Sequence, residues 1–555
     1  MNAKIRASSF RALASLVFAA LIAVGAAGCR GGEETAPAAE QQAAGPQRGG
    51  TVVTGWGSEP ATVNELIVTS NSATNELLHI LFLQLLEEQP DFEQHPPTLK
   101  PELARSYEFS EDRKTVTFHL REDAVWSDGV PITAEDVRWT WQAHRHPDIG
   151  WDNSFAKDAI TDVEVVDPRT VRFHFSRVYG KQLLDINEGF ILPKHAWEKL
   201  PFSEWRKNAD WFKQHLVVSG PFTVASWQPQ QEVVLVRNER FQDEGLPYLD
   251  RVVVRIIPDQ SSQMAQLLSG DIDFIQQVSP TDAPQIQANP NLELIPYWFP
   301  RITVAVAWNN EHPLFSDPEV RRALTLAIDR QAIVDTLWGS YGKVAVSPIA
   351  SQIWGHNRSL RPWPYDPEEA KRILAAKGWK DSDGDGVLDK NGKPFSFELG
   401  SNAGNQQRND AAVMIQEQLK RVGIQVQPRV MEFGILMAQA DAGQFAAQVS
   451  GPGIDTGMDL TTYFHSRSIG TGLNFIRYRN PEVDRLIEKS LEEPELIDAK
   501  PHLDRMQQIM HQEQPMTFLW ESQRLSAVNR RVHDVKPNVL QTMYNVREWW
   551  VRSGR

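Results

Sequence analysis

Apolar and polar residues change period repeatedly along this chain, and the changes predict short strands interleaved with capped helices. Val116–Leu120 and Val171–Phe175 alternate apolar with polar positions, the pattern of half-buried strands. Thr51–Thr54 also reads as a strand. Val233–Val236 and Val252–Ile257 are more continuously apolar, which predicts strands covered on both faces. Ile302–Ala307 is a further strand, ending in Trp308, Asn309 and Asn310. Helix starts are explicit. Thr133 precedes Ala134-Glu135-Asp136, a capping box with Asp in the place of Glu. Asp317-Pro318 and Asp366-Pro367 each put a capping carboxylate before a proline at the first helical position. After Asp317, Val320, Ala323, Leu324, Ala327 and Ile328 recur on one helical face. Gly378 supplies a stop for the helix opened by Asp366. No short tandem repeat is evident. The class these elements predict is α/β with mixed sheets, in several lobes.

The amino terminus changes the picture. Lys4, Arg6 and Arg11 precede an apolar run from Leu13 to Ala23, followed by Ala26, Ala27, Gly28 and Cys29. Basic start, short apolar core and small residues define a secretory signal peptide over residues 1–28. The run is short for a membrane span. Cys29 is the sole cysteine in 555 residues, so no intrachain disulfide can form. A cysteine directly after small residues resembles a bacterial lipobox, although position 26 is Ala where Leu is usual. Lipidation of Cys29 is therefore expected, with ordinary cleavage and an incidental cysteine as the alternative. Residues 29–49, rich in Ala, Gly, Gln, Glu and Pro, have little to bury and predict a flexible tether.

Net charge is −14, or −17 once the three signal-peptide cations are removed. That balance disfavours a nucleic-acid partner. About 500 remaining residues exceed one hydrophobic core, so two or three domains are expected. The 18 Trp are mostly core candidates, with some free to line a pocket. Enzyme signatures are wanting: His144, His146 and His195 have no metal-ligand spacing, and neither a Gly-x-Ser-x-Gly elbow nor a phosphate loop is found. No enzyme activity and no required cofactor are expected.

One local motif carries chemistry. In Asp381-Ser-Asp-Gly-Asp-Gly-Val-Leu-Asp389, oxygen ligands at Asp381, Asp383, Asp385 and Asp389, with the Val387 carbonyl, fit the first nine positions of a calcium loop. The twelfth position is Gly392 rather than a bidentate Glu. Two readings stand: a structural Ca²⁺ site, or a polar connecting turn.

Five segments, in order, carry a family resemblance. They are Ser127-Asp-Gly-Val-Pro-Ile-Thr-Ala-Glu-Asp-Val137, Ser219-Gly-Pro-Phe222, Phe315 to Arg330, Tyr365 to Leu374 with Gly378-Trp379, and Asn474 to Leu486. Together they resemble the peptide-type solute-binding proteins of ABC importers, which bind dipeptides, oligopeptides or nickel (bacterial solute-binding protein family 5). The resemblance covers roughly residues 50–545, and its motifs are mostly turns and helix starts that identify the fold rather than the site.

What the resemblance implies is a two-lobed, periplasmic-binding-protein-like fold with a hinge cleft and an extra subdomain on the first lobe. Its expected boundaries are lobe I at 50–85 and 219–300, the subdomain at 86–218, lobe II at 301–514, and a return to lobe I over 515–555. The implied role is capture of a di- or oligopeptide in the cleft and delivery to ABC permease and ATPase subunits, by a monomer on the periplasmic or cell-surface side, anchored to the membrane through Cys29. A non-peptide solute (an oligosaccharide, nickel chelate or opine) is the alternative within the class, and a secreted hydrolase the more distant one. Relatives meet the peptide amine with an Asp of the second lobe. The matching stretch is Ser450-Gly-Pro-Gly-Ile-Asp455-Thr-Gly-Met-Asp459, ahead of Tyr463-Phe464, which implies Asp455, with Asp459 as rival or as a helix cap. Trp308 and Asn309, near the implied hinge, are candidates for pocket lining or for core, and Trp354 is a weaker one. No residue stands out for the ligand carboxylate.

Overall fold

A single 14-residue strand ties the molecule together. In the computed structural model, which describes residues 45–67 and 72–552, twelve strands join into one mixed sheet. In chain order they are β1 (Thr51–Trp56), β2 (Phe222–Gln228), β3 (Glu232–Arg237), β4 (Arg251–Ile256), β5 (Phe274–Ile275), β6 (Leu292–Trp298), β7 (Val304–Trp308), β8 (Gly342–Val344), β9 (Ser396–Asn402), β10 (Gln425–Met431), β11 (Ala447–Ser450) and β12 (Met516–Asn529). The path runs β10-β9-β11-β7-β12-β5-β1-β4-β3-β2, with β6 and β8 also paired to β12. Parallel pairs of β1 with β4 and β5, and of β9 with β10 and β11, sit among antiparallel ones, so the sheet is mixed. The signal peptide and Cys29 lie outside the described residues. No described helix is long and apolar enough to cross a membrane.

β12 is the spine. Its first residues pair with β7 and its middle with β8, whereas Gln523–Asn529 pair with β6 and Ala527–Val528 with β5. The strands therefore fall into two halves, one on each side of residues 521–523 and of the second crossing between β6 and β7. The chain returns to the first lobe part-way along β12 rather than at its start. A separate four-stranded antiparallel sheet, in the order 104–109, 115–120, 170–175, 160–167, forms the added subdomain. It shares one core with the first lobe, running from Phe118 and Phe173 through Trp197 to Val252 and Trp549.

Local signals became the predicted elements. Thr133 and Asp136 form a reciprocal capping box on helix Ala134–Arg145. Asp317 accepts from the Glu319 N–H, and Asp366 from the Glu369 N–H, at the starts of helices Pro318–Ala327 and Pro367–Ala376. Gly378 follows at φ +86°, a backbone conformation that side chains disfavour. One expectation fails: β4 is not covered on both faces. Val252 and Val254 are buried but Val253, on the opposite face, is only half-buried.

β7 decides the fate of Trp308. All five of its residues are buried. Val304, Val306 and Trp308 face one second-lobe core, and Ala305 and Ala307 face the other. The two-residue strand period places Trp308 against Phe315 and Phe397, with Nε1 donating to Thr517 Oγ1 at 3.1 Å.

Candidate functional site

Between the lobes lies a cavity of about 470 Å³, walled by the first lobe, the subdomain and the second lobe. The second lobe contributes Arg301 and the loop Asp455-Thr456-Gly457. That loop is fixed by backbone geometry. β11 ends at Ser450, and a Cβ on Gly451 would lie 1.9 Å from the Thr303 carbonyl, so only glycine lets the chain pass the crossing segment. Gly453 then bridges to Ile302, and the Ile454 N–H donates to the Arg301 carbonyl at 2.8 Å. Arg301 and Asp455 are thereby brought to neighbouring places on the cavity wall. Trp354, 2% exposed and behind the wall, donates from Nε1 to the Thr456 carbonyl at 2.9 Å.

The two implied aspartates differ. Asp455 lines the cavity with its side chain 45% exposed. Asp459 is not in the lining; its Oδ1 accepts from the Thr461 N–H at 2.9 Å, just ahead of helix Thr461–Phe464, whose N-cap is Leu460. Both face Lys181 of the subdomain, whose Nζ lies 3.5 Å from Asp455, 3.8 Å from Asp459 and 3.7 Å from Asp185. Burial would lower the Lys181 pKa, but Asp455, Asp185 and Asp459 together raise it, so the side chain is a held ammonium. Gly457 makes room for it: a Cβ there would meet Lys181 Cε at 2.7 Å. Thr456 Oγ1 donates to Glu88 Oε1 at 2.6 Å, a second tie across the cleft.

Trp308 and Asn309 do not line the cavity, which corrects the sequence expectation. Trp308 belongs to the core, and Asn309 uses its Nδ2 to brace the Gly443 and Phe445 carbonyls at 3.3 and 3.0 Å. In the candidate calcium loop, carboxylate oxygens of Asp381, Asp383 and Asp385 lie within 4.8 Å of one another, all exposed. Asp389 is not with them; its Oδ2 takes the Ser382 N–H at 2.9 Å and the Ser382 hydroxyl. Val387 donates its N–H to Asp385 at 2.8 Å. Asp381 also accepts from the Gly384 and Gly386 N–H groups, so the carboxylates already serve the turn. None of the loop residues Asp381 to Asp389 lines the cavity.

Sequence reasoning missed Lys181 and Arg301. Of the three lysines and arginines in the cavity wall, Lys181 holds three carboxylates and Arg547 holds Glu87 at 2.8 Å and Glu102 at 3.6 Å. Arg301 is exposed and has no carboxylate within 4 Å among the described residues. Its place immediately before an apolar strand at a lobe crossing was the available signal.

Two lobes sharing one crossing strand, with a walled cavity between them, define a ligand-capturing binding protein. Comparison with known proteins gives the family. Residues 98–472 match the bacterial extracellular solute-binding proteins, family 5 Middle. The oligopeptide-binding protein AppA of Bacillus subtilis is 31% identical over 546 residues, covering 97% of this chain and 98% of AppA. Its structure in complex with a nonapeptide superimposes with a TM-score of 0.78, over 92% of this chain and all of that one. NikZ of Campylobacter jejuni, solved with Ni(L-His), matches the fold at 23% identity and a TM-score of 0.77, covering 90% of this chain and 99% of NikZ. Heme-binding protein A of Haemophilus influenzae is 25% identical over 80% of this chain and 82% of its own length. The chain belongs to the family 5 extracellular solute-binding proteins, the substrate-capturing components of ABC transporters.

Proposed function

We propose that this protein captures a peptide in the interlobe cavity and hands it to an ABC permease. Asp455 receives the peptide ammonium and Arg301 the peptide carboxylate. The observation that carries this reading is their pairing on one wall: a carboxylate with an open side and a cation with no carboxylate within 4 Å among the described residues, adjacent through the Ile454–Arg301 hydrogen bond. A zwitterion asks for those two charges. The relation to AppA, whose structure holds a nonapeptide, supports the ligand class. The role is capture without turnover. It is carried out on the outer side of the membrane, by a chain anchored through lipid on Cys29.

The test is calorimetric titration of short peptides against the mature chain and Asp455→Asn. Loss of one charge-assisted contact is expected to weaken binding roughly 10- to 100-fold. Amino-terminal acetylation of the peptide should cost the wild type the same factor and cost Asp455→Asn little. Equal binding of free and acetylated peptides by the wild type would remove Asp455 from the amine role. Hydrolysis of the peptide during titration would contradict capture without turnover.

A further inference from the structure

The cavity wall carries nine carboxylates against three lysines and arginines. Four of the nine are matched internally: Glu87 and Glu102 share Arg547, and Asp185 and Asp455 share Lys181. The other five, Glu65, Glu76, Glu88, Asp152 and Glu188, have no basic side chain within 4 Å among the described residues. They come from both the first lobe and the subdomain, so the excess surrounds the space rather than marking one loop. Their hydrogen-bond partners are neutral, and the cations that act on them do so from beyond 4 Å: Lys157 on Glu65 and Glu188, Arg524 on Glu76, Arg301 on Glu88. Glu65 takes the Phe190 N–H at 2.7 Å, Glu76 takes Thr542 and Met543, Glu88 takes Thr456, and Glu188 takes the Asn153 amide. Glu76 is 6% exposed, with Arg524 acting on it from beyond 4 Å.

Resting on the peptide reading above, we infer that this cavity selects cationic ligands: peptides whose lysine or arginine side chains stand against Glu65, Glu88 and Glu188 while their termini meet Asp455 and Arg301. A carboxyl enclosed in protein with no cation in contact is costly as an anion, and a ligand cation placed against it lowers that cost. A neutral peptide leaves it in place, and an acidic peptide adds to it. The protonation of the wall agrees. Burial is the largest cause raising Glu65, to about 8, and Glu102, to about 7, and it raises Glu76 and Glu88 as well.

The experiment titrates the mature chain at pH 8 and low ionic strength with Ala-only, Ala/Lys and Ala/Glu peptides, each made at three and nine residues. The Ala/Lys peptides are expected to bind at least roughly tenfold tighter than the Ala peptides, with the Ala/Glu peptides weakest. The triple variant Glu65→Gln, Glu88→Gln, Glu188→Gln keeps shape and removes charge. It should lose that preference. Equal affinity for Ala and Ala/Lys peptides overturns the charge inference while leaving peptide capture standing. Failure of every peptide to bind overturns peptide capture itself, and this inference with it. A preference unchanged in the triple variant overturns the assignment to these three glutamates.

Discussion

Replacing Lys181 by Met removes the ammonium that three carboxylates share and leaves the hydrocarbon stem in place. The contacts lie at 3.5–3.8 Å, with the lysine side chain 12% exposed and those of Asp185, Asp459 and Asp455 at 15, 25 and 45%. At an effective dielectric constant of about 20, each attraction is ~4–5 kcal/mol before desolvation. Asp455, half in solvent, keeps about 1 kcal/mol or less of that. Dehydration of the lysine opposes the rest, and cation removal from such clusters costs about 3 kcal/mol net. The wild type and Lys181→Met are compared by thermal unfolding at pH 7.5, and a fall of about 5 °C is expected. A sign reversal sharpens the test. Asp455→Asn should destabilise the wild type, where it removes an ion pair. In the Lys181→Met background it should stabilise, because it relieves crowding among Asp185, Asp455 and Asp459. An Asp455→Asn effect of the same sign and size in both backgrounds would refute the reasoning.

Between pH 6.5 and 8 the ligand-free protein should lose stability as pH rises. Burial, the dominant cause, raises Glu65 from 4.5 to about 8, opposed by the Phe190 N–H and Lys157 and assisted by Glu188. The folded state therefore holds a proton that the unfolded chain has already lost, and its contribution disappears as pH passes through the folded value. Glu102, raised to about 7, acts in the same direction, and denaturant unfolding at the two pH values should show a smaller slope for Glu65→Gln. Calcium at Asp381, Asp383 and Asp385 is a separate expectation, and a weak one, because Asp389 is turned away and Gly392 replaces the bidentate acid. Adding Ca²⁺ at ~5 mM should raise the unfolding temperature by about 1–3 °C in the wild type and not in Asp383→Asn. No shift in the wild type would assign the loop to turn formation alone.

What the sequence disclosed and what it hid follow from the range of the forces involved. Thr133, Asp317 and Asp366 act on N–H groups two or three residues away, so their caps could be read from the chain alone. Asp455 was reached through resemblance, and the structure adds the reason it faces the cavity: Gly451 and Gly453 bring its loop against the crossing segment. Trp308 was ambiguous because the face of a strand is set by the partner strands, and β7 lies between β11 and β12 with both sides covered. Lys181 and Arg301 were hidden for a similar reason. One is notable for the carboxylates gathered round it and the other for having none within 4 Å among the described residues, and both properties exist only after folding. The acid excess was visible as a net charge of −14, but not its concentration around one cavity.

The most direct test is native mass spectrometry of the protein purified gently from its own cells, with the bound mass released and fragmented. The account predicts a family of peptides, enriched in lysine and arginine, that disappears in Asp455→Asn. A single non-peptide mass, such as an oligosaccharide or a metal chelate, would contradict it.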